Sequence, residues 1–443
     1  MEERELLESL LAREVVPATG CTEVGAVALA TGWAVQALGS PTEEITEIRI
    51  EIDESTYKNA YGVGIPGTDE TGPAFAAAMG TASAKRVQQG LQILENPDEA
   101  AIASAKTLIA QGTIRIVRVP GAKEILIRAR VSDGKNEASA LIQGSHDHVV
   151  GVERNQRPYE GAPVSEWDDS RLSEQMKNLR YASILEFVKK VDVAELTVVR
   201  QAVEMNIRFT EEARKRLPSL RIGRVMEKHV DHGITGRDLS SKAQFITAVS
   251  VEARMRGLDL PVMACAGSGN QGLVATIPVV ETAKAIGASD DNLMRASALS
   301  YLTTIYIKTF TGVLSPICGC GVAAAVGAGC GIVFLLGGDT PQIEAQINNM
   351  IGTMAGIICD GAKSGCALKA LMAVGLAVDG AYLSLENVRI PSTDGIVGGE
   401  VIDTLNNLQR IIGDGMPSMD SAIVDVIETK GPEKGKTNPR TDG

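Results

Sequence analysis

Between residues 45 and 153 the apolar side chains keep a period of two, and beyond residue 170 they keep helical spacing, so one chain carries two kinds of packing surface. Ile45, Ile48, Ile50 and Ile52 open the first regime as a β-branched run, and further strands are predicted over 113–119, 124–131, 138–142 and 149–153. These last four are expected to form an antiparallel meander, with Asp133-Gly134 as a hairpin turn. Helices are predicted over 71–90 and 98–110. After a polar, proline-containing linker, 156–169, helical segments run over 170–216, 238–256, 270–286, 290–309, 341–358 and 365–378. Two more, 3–11 and 23–38, flank a turn at residues 17–23. The expected fold class is α+β: a predominantly helical domain from residues 1–40 and 160–430, and an inserted α/β domain, 41–159, with a mostly antiparallel sheet. The N-terminal turn should fold back onto the helical body. Residues 431–443, charged and without apolar pattern, are expected to be disordered.

Composition narrows the function. Aromatic residues make up only 3% of the chain against 46 glycines, which suggests helices packed at close range. A formal charge of -12 without a Lys/Arg cluster argues against a nucleic-acid partner, since phosphate binding needs clustered cations. A small-molecule partner is expected instead, and a homo-oligomer is left open. The N-terminus mixes acidic and basic residues from its second position, unlike a targeting peptide, which points to the cytoplasm. Residues 309–338 carry no charge over thirty positions. Pro316 and the Gly/Ala/Cys content predict a buried, broken helix there rather than a membrane span.

Seven cysteines in a cytosolic chain are a poor disulfide framework. Cys318 and Cys320 sit on one glycine-rich break, Cys359 and Cys366 on another, Cys21 on the N-terminal turn, and Cys265 and Cys330 in apolar runs. Turns and helix starts present backbone N–H groups that stabilise thiolates, so these breaks suit metal or cluster ligation. Buried inert thiols are the competing reading, and the CxxC pairs common in zinc sites are absent.

Five strings taken together resemble the L-cysteine desulfidase family, which is related to the iron-sulfur L-serine dehydratase α chains. They are VVPATGCTE at 15–23, GIPGT at 64–68, GSGNQG at 267–272, CGCGVAAA at 318–325 and ICDGAKSGCALK at 358–369. The resemblance covers nearly the whole chain except its tail. It implies a [4Fe-4S] cluster held by three cysteines, with one iron open to substrate. Cys21 matches the ligand of the TGCTE turn and Cys359 that of the CDGAK loop. The third lies in the CGC segment, where Cys318 fits the family spacing best, Cys320 is its rival and Cys366 belongs to an alternative trio. The implied reaction is β-elimination of L-cysteine to pyruvate, ammonia and sulfide.

Such a substrate needs polar anchors. Ser268, Asn270 and Gln271, in a glycine-rich turn opening a helix, can grip a carboxylate, or can simply cap that helix. Asn59 is a further anchor, and Lys58 beside it is a candidate base. His146, in a Gly-Ser turn after a predicted strand, is the first candidate for the base, against the reading of a surface turn histidine; Lys363 is another competitor. The alternatives for the whole chain are an L-serine dehydratase with the same cluster chemistry and a metal-binding protein without turnover. The TGCTE turn follows the desulfidase pattern rather than the dehydratase one. A pyridoxal-phosphate lyase lacks an evident lysine and phosphate loop.

Overall fold

The computed structural model describes residues 2–122, 124–163 and 169–430. Its strands are β1 (Pro17–Thr19), β2 (Glu47–Asp53), β3 (Ile114–Val119), β4 (Leu126–Ser132), β5 (Glu137–Gln143), β6 (Val149–Arg154), β7 (Arg157–Pro158) and β8 (Pro261–Met263). The protein is α+β and mostly helical: β2 to β7 form one sheet in the order β3-β2-β4-β5-β6-β7, and β1 pairs with β8 in a second, two-stranded one.

The meander expected over four strands holds for three. β3 pairs in parallel with β2, and β2 separates it from β4. The reason lies in the connection. Helices Glu54–Ala60, Gly72–Ala82 and Glu99–Ala110 intervene between β2 and β3, and a long helical crossover delivers a parallel neighbour. Alternation shows which face of a strand is buried; it does not name the neighbour. The Asp133-Gly134 turn joins β4 to β5 as expected, with Gly134 at φ 82° and Asp133 Oδ1 accepting from the N–H groups of Lys135 and Asn136.

The sheet rests on helix Thr22–Leu38, in which every residue but Gln36 is buried. Small residues make the contacts close. A methyl on Gly80 would collide with the Ala28 carbonyl, and one on Gly32 would meet Val87 at 2.8 Å. This close packing of backbones is what the low aromatic content foretold. The first forty residues thus touch both layers, since helix Glu3–Glu14 packs on Asp290–Thr311 in the helical body.

In that body Leu239–Met255 packs on Cys366–Leu385, and Asp290–Thr311 on Ala325–Leu335. The charge-free segment 309–338 is broken as expected: one helix ends at Thr311, a loop follows, and a π-helical turn, Cys320–Ala324, leads into the next helix. Among the described residues, Cys366–Leu385 is the one helix with the length and composition of a membrane span, and half of its apolar window is buried inside the protein. Helices Arg221–Asp231, Val401–Arg410 and Met419–Lys430 were not expected. The expected tail, 431–443, lies outside the described residues.

Candidate functional site

β1 brings the N-terminal turn to its place. Its register on β8 pairs Pro17 with Met263 and Thr19 with Pro261, and the ladder continues as Ala264 N–H donates to the Val16 carbonyl at 2.8 Å. Gly20 then turns at φ 71°, and Cys21 becomes the N-cap of helix Thr22–Leu38. The adjoining strand turns back within two residues: Cys265 and Ser268 exchange both backbone hydrogen bonds at 3.1 Å across Ala266 and Gly267, at φ 46° and 78°. Two consecutive left-handed residues define a type I′ turn, and the Ala266 backbone is strained there. Thr22 Oγ1 ties the two turns by donating to the Gly267 carbonyl at 2.8 Å.

The other two cysteine loops pin each other. Ile317 and Ile358 form an antiparallel bridge, with Cys318 N–H donating to the Ile357 carbonyl and Cys359 N–H to the Pro316 carbonyl, both at 2.7 Å. Gly361, at φ 103°, lies against helix Glu54–Ala60, where a Cβ would stand 2.5 Å from the Lys58 carbonyl. These contacts bring Cys21, Cys318, Cys320, Cys359 and Cys366 into the wall of one cavity of about 70 Å³. Cys265 and Cys330 are buried elsewhere, with their thiols nearest the carbonyls of Tyr301 and Ile343 at 3.9 Å.

Cys21 and Cys359 are joined through two side chains. Cys21 Sγ donates to Glu23 Oε2 at 2.6 Å, Asn59 Nδ2 donates to Glu23 Oε1 at 2.8 Å, and Cys359 Sγ donates to Asn59 Oδ1 at 3.7 Å. Burial pushes the thiols of Cys21, Cys359 and Cys366 up, the last to about 12, and Glu23 adds to the effect at Cys21. Cys318 goes the other way: the Cys320 thiol donates to it, and although burial opposes the charge, the Gly321 N–H favours the thiolate. Burial works against the charge of Glu23, yet His146 and the hydrogen bonds from Cys21 and Asn59 hold this carboxyl below the usual range.

Of the residues singled out from sequence, Asn59, Ser268, Asn270 and Gln271 line the cavity with the cysteines. His146 is not a surface residue: it is 2% exposed, and neither ring nitrogen has a hydrogen-bond partner. Its Nε2 stands 4.0 Å from Glu23 Oε1, and its ring faces Gly267 from an adjoining cavity that shares Gly267 and Val313 with the first. Lys58 is buried with its Nζ 2.6 Å from Asp420 Oδ1, and it does not line the cavity, although its charge favours the Cys359 thiolate. Lys363 pairs with Asp360 at 2.5 Å.

The Lys58–Asp420 pair fastens helix Met419–Lys430 to helix Glu54–Ala60, with Ser55 also donating to Asp420. Asp420→Ala leaves the Lys58 ammonium buried without its carboxylate, a change expected to cost about 2 kcal/mol because Asp420 is partly exposed. Thermal denaturation of the variant measures it as a fall in Tm, and an unchanged Tm contradicts the role given to this pair.

Three charged residues of the wall escaped the sequence reading: Glu23, Arg254 and Lys308. Burial pushes the Lys308 ammonium down to about 8, against the opposing pull of the thiols of Cys359, Cys320, Cys318 and Cys265. Arg254 donates to Asn270 Oδ1 at 3.0 Å and to the Gly20 carbonyl, while its Nε has no partner. Neither cation forms a salt bridge among the described residues.

The donor set suits a polynuclear iron-sulfur group. Thiols from three separate loops ring one cavity, with cations beside them. Among the described residues no three His, Cys, Asp or Glu side chains converge on a single point as ligands of one metal ion would.

The chain that gathers these cysteines around one polar cavity matches a known protein family. The serine dehydratase alpha chain profile matches residues 88–425, and the chain belongs to this family of serine dehydratase-like lyases. Full-length relatives carry the name UPF0597 protein. The one from Caldanaerobacter subterraneus subsp. tengcongensis is 36% identical over 426 residues, covering 96% of this chain and 98% of its own. Those of Clostridium tetani and Oleidesulfovibrio alaskensis are 35% and 36% identical, each over 96% of this chain and covering 99% and 97% of their own.

Proposed function

We propose that the protein is a cytoplasmic, iron-sulfur-dependent lyase that removes the β-substituent of a small L-amino acid, with L-cysteine preferred to L-serine. The observation that carries this reading is the single cavity walled by Cys21, Cys318, Cys359 and the polar residues of the 265–271 turn. Family membership supports the elimination chemistry, and the TGCTE turn at Cys21 supports cysteine. In the proposed set Cys21, Cys318 and Cys359 hold a [4Fe-4S] cluster. When bound, the cluster supplies a Lewis-acidic iron that weakens the bond from the β-carbon to its sulfur or oxygen.

The chain's own residues do the rest. Asn59, Ser268, Asn270 and Gln271 orient the amino acid in the cavity. His146 takes the α-proton from the adjoining cavity, which meets the first at Gly267 and Val313: its ring is buried and unpartnered, and Glu23 stands beside Nε2 to stabilise the charge it gains. Lys308, a buried cation in the same wall, favours the negative charge that develops as the proton leaves. As the β-carbon bond breaks, its electron pair leaves with the sulfur. The resulting aminoacrylate tautomerises to an imine, which one water hydrolyses, so L-cysteine and water give pyruvate, ammonia and sulfide.

The test is a paired assay on anaerobically purified protein, reading sulfide from L-cysteine and pyruvate from L-serine. The expected result is a higher kcat/KM for L-cysteine. A higher value for L-serine makes the protein a dehydratase, and no product from either overturns the lyase reading.

A further inference from the structure

Two polar atoms in the wall of the thiol cavity lack partners, and they are of opposite kind. Arg254, 3% exposed, spends its terminal nitrogens on Asn270 Oδ1 and the Gly20 carbonyl, leaving Nε as an unpaired donor. Gln271, 4% exposed, donates its amide nitrogen to the Ala266 carbonyl at 3.5 Å, leaving Oε1 as an unpaired acceptor. A buried polar atom without a partner is costly, and pairs of them in a cavity mark where a ligand completes the set.

Glycines make room for both side chains. A Cβ on Gly269 would lie 2.6 Å from the Arg254 guanidinium, and one on Gly319 would lie 3.0 to 3.2 Å from the Gln271 amide. The first glycine opens the helix Gly269–Ile286; the second stands between Cys318 and Cys320. The donor and the acceptor therefore each lie directly against a glycine, where a side chain would press on them. Arg254 is also a buried cation with no carboxylate partner among the described residues, which favours an anionic ligand.

We infer that Arg254 and Gln271 form a clamp for a free α-amino acid, Arg254 Nε–H donating to the carboxylate and the substrate ammonium donating to Gln271 Oε1. This rests on the lyase reading for the reaction but adds a specificity rule: both charged ends are read, so carboxamides, peptides extended at either end and simple carboxylic acids are poor ligands.

The experiment is calorimetric binding to anaerobically purified, iron-loaded protein, using L-alanine, which has both charged ends and no leaving group, against L-alaninamide and propionate. Wild type is expected to bind L-alanine about ten-fold or more tighter than either analogue. Arg254→Gln removes the preference over L-alaninamide, Arg254→Lys restores part of it, and Gln271→Leu removes the preference over propionate. Iron content stays at the wild-type level in all three. If Arg254→Gln does not fold, Gly269→Ala, which displaces the guanidinium while keeping its charge, is expected to lose the same preference.

Unchanged L-alanine discrimination in Arg254→Gln, or failure of the wild type to bind L-alanine, overturns the clamp. Iron loss in Arg254→Gln with discrimination intact overturns it too, and makes the arginine a counter-ion of the metal site. Failure of the lyase reading looks different: the wild type shows Arg254-dependent binding of L-alanine yet releases neither sulfide nor pyruvate.

Discussion

Serine in place of Cys21, Cys318 or Cys359 is expected to strip the iron from anaerobically purified protein and abolish turnover, whereas the same change at Cys320 or Cys366 leaves both. The three differ in chain position yet share one wall, Cys21 brought in by the β1–β8 pairing and the other two by the Ile317–Ile358 bridge. Serine keeps the size of the side chain and removes the soft thiolate that iron-sulfur clusters require. Iron per chain and visible absorbance read the outcome for each variant. Retention of iron in Cys21→Ser breaks the proposed set, and loss in Cys366→Ser points to the alternative trio.

His146→Asn is the second large effect. Loss of a positioned base lowers a rate by about 10²–10⁴-fold, so kcat should fall in that range while iron content and Tm stay near wild type. Asparagine fits the pocket between Gly267 and Glu23 without adding a charge. Steady-state kinetics on the loaded variant measure it. A kcat within a few-fold of wild type moves the proton transfer to another group, and Lys308 is then the residue to substitute next.

Much of the cavity wall was legible because its cysteines sit on punctuation. Cys21, Cys318 and Cys359 each lie on a glycine-marked break, and breaks are where a chain can aim side chains inward. Their convergence was not legible from spacing. It depends on β1 meeting β8 across more than half the chain, and two three-residue strands leave almost no alternation to read. Arg254 and Lys308 were missed for a related reason. Each sits within the last turn of a long helix, Leu239–Met255 and Asp290–Thr311, where a basic residue is the ordinary complement to the helix dipole. Only tertiary packing shows that both are buried against the thiols rather than solvated.

His146 and Lys58 show the limits from both sides. A Gly-Ser-His-Asp-His stretch has the composition of an exposed turn, but His146 is buried with its ring against the turn at Gly267. Lys58 lies close to the cysteines in sequence logic and in space, yet Asp420, on a helix with no foreseen partner, pairs with its ammonium. The parallel β2–β3 pair was likewise hidden, since a crossover through three helices leaves no mark on the strands themselves.

In the proposed enzyme, thiolates from three remote loops hold one cluster with an iron open to the substrate. Mössbauer spectroscopy of ⁵⁷Fe-labelled, anaerobically purified protein tests it most directly, recorded before and after addition of L-cysteine. The expected result is a cluster spectrum in which a single iron site changes its parameters with substrate while the others stay fixed. A spectrum of mononuclear iron, or a cluster whose irons all ignore the substrate, contradicts it.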